Sequence, residues 1–187
     1  MAVGALSPSA ADAAEPGSKP AVAKACANTG TYVKPDGKKA KNSGKHNPGK
    51  LFKGRPNRQD EDEERNTGET ANLAGYTATV TAGEFVQSLS SFENDGYLKL
   101  AVKICNRNSD PQQTNIFDWK VQTPAGNQID PDISSIPTLQ TGTLVKGGEV
   151  AGDLVFAIDG QKGDFFVIYK PVSDPFNDIR GIWKITV

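Results

Sequence analysis

The hydrophobic pattern of this chain changes character near residue 72. Beyond that point apolar and polar residues alternate with a period of two. In Tyr97–Cys105, Leu98, Leu100, Val102 and Ile104 point one way, while Lys99 and Lys103 point the other. Such alternation predicts a half-buried strand of an antiparallel sheet. Cys105 falls on the lysine face at the strand end, so it is expected near the surface. Ile116–Thr123 repeats the pattern, with Phe117, Trp119 and Val121 inward against Asp118 and Lys120. Tyr76–Thr81 is rich in β-branched residues, which suit a pleated surface. Leu154, Phe156 and Ile158 share a face, and so do Trp183 and Ile185 in the last segment, Ile182–Val187. Phe165–Tyr169 is apolar on both faces and suits a central strand. Turns rich in Gly, Pro, Asn and Asp separate these runs about every 8–12 residues, and no segment reads as an amphipathic helix. The prediction is a β-sandwich or barrel.

Residues 1–71 read differently. They contain no Ile and only one Phe, Phe52, whereas both Trp residues and the other seven Phe residues lie later. Burial of apolar area is the main favourable term in folding, at about 25 cal/mol per Å². With so little to bury, 1–71 is expected to be a disordered segment preceding a folded 72–187. Its start, Met1–Gly17, resembles the back half of a signal peptide, with a short apolar run, Pro8 and an A-x-A site at Ala11–Ala13. Residues 34–58 carry nine Lys+Arg and one acid, and the acidic block Asp60–Glu64 follows. These opposite blocks are expected to form a solvated linker in which each neutralises the other.

Charge divides along the same line. Residues 1–71 hold 12 Lys+Arg and 9 Asp+Glu, a net +3, and residues 72–187 hold 9 and 13, a net −4. The acidic balance of 72–187 argues against nucleic-acid binding by the folded part. No run approaches the roughly 18 apolar residues of a transmembrane helix.

Few residues offer chemistry. The sole histidine, His46, lies in the segment expected to be disordered, where no triad or metal site can orient it. Asp130 and Asp132 sit in one loop and Asp174 and Asp178 in another; paired loop carboxylates can hold Ca²⁺ or serve a hydrolase. Their spacing fits no EF-hand, and Asp is ordinary turn chemistry. Gly147-Gly148 lacks the lysine and helix of a phosphate loop. The expectation is no catalytic residue, no cofactor and no metal. The two cysteines, Cys26 and Cys105, are expected to form a disulfide if the chain is exported. That bridge would pin Thr31–Val33 against the sheet as an extra edge strand.

The run Gly96–Asp130 (GYLKLAVKICNRNSDPQQTNIFDWKVQTPAGNQID) resembles the immunoglobulin-like, telokin-like domain of secreted Gram-positive lipoproteins. The segment Leu144–Phe156, the aromatic strand Phe165–Tyr169 and the short last strand continue the likeness through residue 187. The family is related to that of a mycobacterial immunoprotective secreted antigen. The resemblance implies an all-β, immunoglobulin-like antiparallel sandwich, export and a non-catalytic role. Ala23-Lys24-Ala25-Cys26 departs from a lipobox, because Lys24 interrupts it. The combined expectation is a secreted or cell-surface monomer that binds an extracellular protein or cell-wall component. The alternatives are a carboxylate-using or calcium-dependent extracellular enzyme and a passive spacer.

Overall fold

The computed structural model describes residues 31–33, 39–41, 51–73, 75–89, 96–134, 138–171 and 178–187. Thirteen strands run in chain order among the described residues. Thr31–Val33 (β1) and Lys39–Lys41 (β2) pair only with each other, in a two-stranded sheet of their own. Glu63–Arg65 (β3), Thr70–Leu73 (β4), Tyr76–Val86 (β5) and Tyr97–Asn106 (β6) open the sandwich. Gln112–Thr114 (β7), Trp119–Gln122 (β8), Gln128–Ile129 (β9) and Gly142–Leu144 (β10) follow. Glu149–Ala157 (β11), Asp164–Tyr169 (β12) and Gly181–Thr186 (β13) complete it.

Two sheets stack face to face. One is four-stranded, in the order β11-β6-β5-β4, and the other five-stranded, in the order β3-β13-β12-β8-β9. Leu98, Leu100, Val102, Leu154 and Phe156 of the first meet Trp119, Val121, Phe165, Val167 and Trp183 of the second in a single buried core. The Trp119 ring lies 4.5 Å from Tyr169 and 6.0 Å from Trp183, within the range of favourable aromatic contacts. All-β sandwich architecture is therefore as expected, with no α-helix among the described residues. None of their helices is long and apolar enough to cross a membrane.

Alternation places most strands correctly. Leu98, Leu100, Val102, Ile104, Leu154, Phe156, Ile158, Trp119, Val121, Trp183 and Ile185 are all buried, and β12 lies centrally between β13 and β8. In β5 a bulge at Thr81 shifts the register between Val80 and Ala82, and the Thr81 hydroxyl donates to Ala101 O at 3.0 Å. The extra residue ends the buried run of β5.

Five expectations need correction. First, residues 51–71 belong to the fold: β3 and most of β4 lie in them, and Arg55, Asp62, Glu63, Glu64 and Arg65 are buried. Of the rest of 1–71, only β1 and β2 are among the described residues. Second, β3 joins β13 in parallel, so the sandwich is not wholly antiparallel. Third, Phe117 does not face the core but is 46 % exposed. Asn115 caps a short 3₁₀ turn, Ile116–Asp118: its Oδ1 accepts from Phe117 N at 3.0 Å, and Asp118 Oδ2 accepts from Asn115 N at 3.1 Å. This reciprocal cap suspends strand alternation until Trp119. Fourth, Cys105 is buried rather than near the surface. Fifth, β1 does not edge either main sheet, since its partner is β2.

Candidate functional site

The outer face of the five-stranded sheet, like its inner face, carries buried apolar side chains. On that face Ile168 stands opposite Ile182 on one side and Lys120 on the other, and Phe166 opposite Lys184 and Gln122. Phe166, Ile168 and Ile182 form a second buried cluster, separate from the core. A sheet apolar on both faces must be covered on both. The cover is the segment 51–62, which lies over this face as a strap. Phe52 packs on Phe166 with ring centroids 5.6 Å apart, and the Arg55 guanidinium lies 6.0 Å from the Phe166 centroid.

Charge fastens the strap. Asp62 accepts from Arg180 Nε at 2.7 Å and Nη2 at 2.8 Å, and also pairs with Arg55. Glu64 accepts from Arg55 Nε at 3.1 Å, from Arg58 Nη2 at 2.6 Å and from Phe52 N at 2.7 Å. Glu63 accepts from Arg65 Nη2 and from Asn72 N, each at 2.7 Å. Arg180 Nη2 also donates to Asn57 O at 3.0 Å, and Glu63 N to Arg180 O at 2.8 Å. Buried ions are tolerated only when paired and saturated with hydrogen bonds, and these carboxylates are. Burial alone would raise the Asp62 carboxyl. The hydrogen bond and charge of Arg180, the Gln59 amide and Arg55 outweigh it and hold Asp62 below its ordinary value.

The strap covers only part of the face. Beside it lies an open groove of about 380 Å³. Ile168 and Pro171 supply apolar surface, and Phe117 stands at its rim on the capped turn. Lys120, Lys170 and Arg180 bring positive charge, while Asp118 and Gln128 complete the lining. Asp118 is buried and engaged as the cap of its own turn. Lys120 pairs with Asp130, and Lys170 with Asp178 at 3.2 Å; all four side chains are exposed. Arg180 thus belongs to both the strap's fastening and the groove.

The residues singled out in the sequence are dispersed. Asp130 and Asp178 are surface partners of the groove lysines. Asp132 shapes a turn, its Oδ1 accepting from Ser134 N at 2.8 Å and Ser134 Oγ at 2.6 Å. His46, Asp174 and Cys26 lie outside the described residues. No group of three metal-ligating side chains occurs among the described residues. The strap and groove were missed, although two signals point to them. A strand apolar on both faces, Phe165–Tyr169, needs a cover, and Phe52 is the only Phe before residue 72. Asn115 and Asp118 carry the spacing of a capping box.

Several solved structures share this architecture. The yjhA protein of Bacillus subtilis matches with a TM-score of 0.51 and 20 % identity, over 64 % of this chain and 98 % of its own. The ycdA protein of the same organism, named as a candidate lipoprotein, matches with a TM-score of 0.52 and 19 % identity, over 63 % of this chain and 38 % of its own. MPT63, a secreted protein of Mycobacterium tuberculosis, matches with a TM-score of 0.51 and 10 % identity, over 66 % of this chain and 98 % of its own. At such identities the likeness is one of fold. No curated protein matches the sequence. The family model that does match spans residues 65–178, and the chain accordingly belongs to the family described as a domain of unknown function, DUF4352.

Proposed function

We propose that this protein is an exported, non-catalytic binding module that docks an extracellular protein or cell-wall component in the groove on its five-stranded sheet. It acts as a monomer, without metal or cofactor. The observation that carries the reading is Phe117. A residue at the centre of a doubly capped turn is held rigidly, and here it holds a large aromatic ring in solvent beside an apolar floor. Rigid aromatic anchors of this kind dominate the energetics of protein interfaces. Export is supported by the signal-like start and by the secreted and lipoprotein descriptions that two fold relatives bear. It is also supported by Cys105, which is 2 % exposed and not a free thiol. Cys26, the only other cysteine in the sequence, is its proposed partner.

A photoreactive phenylalanine at position 117 of the full chain tests the site. Mixed with cell-surface extract, it is expected to give one discrete crosslinked species. The same probe at Val145, which is 62 % exposed on another turn, is expected to give none of that species. Equal labelling from both positions, or none from 117, rules the groove out.

A further inference from the structure

The charges of the groove say what it binds. Residues 72–187 carry a net −4 from 9 Lys+Arg and 13 Asp+Glu, yet three of those nine cations, Lys120, Lys170 and Arg180, line this one groove. One carboxylate, Asp118, shares the lining and is committed to Asn115 N, and each of the three cations also meets a carboxylate outside the lining: Asp130, Asp178 and Asp62. With a third of the cations of an acidic domain gathered in it, this recess is where an anion meets cationic donors.

Arg180 is the informative member. It is only 8 % exposed, and its hydrogen bonds run from Nε and Nη2 to Asp62 and Asn57. Among the described residues none bonds to Nη1. A guanidinium nitrogen with donors to spare, at the wall of an open groove, suits an incoming acceptor. Lys120 and Lys170 meet only exposed carboxylates, and exposed ion pairs are weak enough to yield to a competitor.

We infer that the groove binds an acidic peptide segment, a Glu or Asp side chain flanked by apolar residues. Its carboxylate bonds to Arg180 Nη1 with Lys120 and Lys170 as further donors, and its apolar neighbours pack on Phe117 and Ile168. One feature favours this ligand over a phosphate or a uniform polyanion. The apolar surface of Ile168, Pro171 and Phe117 has no use in a purely anionic polymer, and about 380 Å³ fits a few side chains. The inference rests on the groove being the binding site.

The experiment titrates the isotopically labelled full chain with three blocked tripeptides, Leu-Glu-Leu, Leu-Gln-Leu and Leu-phosphoserine-Leu, and follows amide signals. The Glu peptide is expected to shift Phe117, Lys120 and Lys170 and to bind about tenfold more tightly than the Gln peptide, as befits a charge-assisted bond. Reversal of both lysines, Lys120→Glu with Lys170→Glu, is expected to abolish these shifts while the melting midpoint stays within a few degrees. Equal affinity of the Glu and Gln peptides, or tighter binding of the phosphoserine peptide, overturns the carboxylate assignment. So does a shift pattern centred elsewhere. If no peptide binds while the crosslink at position 117 still forms, the acidic-peptide assignment fails and the groove stands as a binding site; loss of both defeats both.

Discussion

Asp62 shows what a single residue does here. Two guanidiniums, those of Arg55 and Arg180, converge on one buried carboxylate. Asp62→Asn leaves both cations under-compensated in a buried place, and removing one partner of a buried pair costs about 3–5 kcal/mol. The denaturation midpoint of this variant is expected to fall accordingly, and an unchanged midpoint contradicts the network. The pH dependence follows in sign. The folded-state value of Asp62 is depressed. Its contribution is therefore fully present above the unfolded value, about 3.9, and is lost as pH falls through the folded value. Wild-type stability is expected to decline more steeply than that of Asp62→Asn below about pH 4. Parallel acid profiles for the two proteins count against this assignment. The residue scale is also where sequence reading is most uneven. Trp119 and Val121 are legible because alternation holds across β8. Phe117, two positions earlier, is not, because Asn115 and Asp118 satisfy each other locally and suspend the alternation.

At the scale of elements, the sequence reveals β6 and β11 by their alternation, β12 by its unbroken apolar run and β13 by the shared face of Trp183 and Ile185. The strap is not revealed, for a definite reason. The block Asp60–Glu64 looks like solvated charge when averaged over its neighbours, and Arg180, which pairs with Asp62, lies 118 residues away. No local window contains both partners. The same structure predicts where proteolysis stops. Lys53 is exposed, whereas Arg55 is buried and precedes Pro56, and Arg58 and Arg65 are tied to Glu64 and Glu63. Limited trypsin treatment is expected to leave a fragment beginning at Gly54 or earlier. Terminal sequencing that finds Gln59 or Asn66 first shows the strap to be loose in solution.

At the scale of the whole molecule, the proposed Cys26–Cys105 bridge ties the N-terminal part of the chain to the four-stranded sheet. A loop of that length stabilises by about 4–5 kcal/mol in the chain-entropy model. Non-reducing mass spectrometry of protein purified from an oxidising compartment is expected to yield a Cys26–Cys105 linked peptide; two alkylatable thiols exclude the bridge and weaken the case for export. The parallel pairing of β3 with β13 has a mechanical side. It sets the first strand of the sandwich beside the last, both running the same way, with Glu63 level with Gly181 and Arg65 with Trp183. Tension applied between the chain ahead of β3 and its end at Val187 pulls these neighbours in opposite senses along their length. The ladder bonds and the Arg180–Asp62 pair then resist together in shear, rather than opening one after another as a peeled hairpin does.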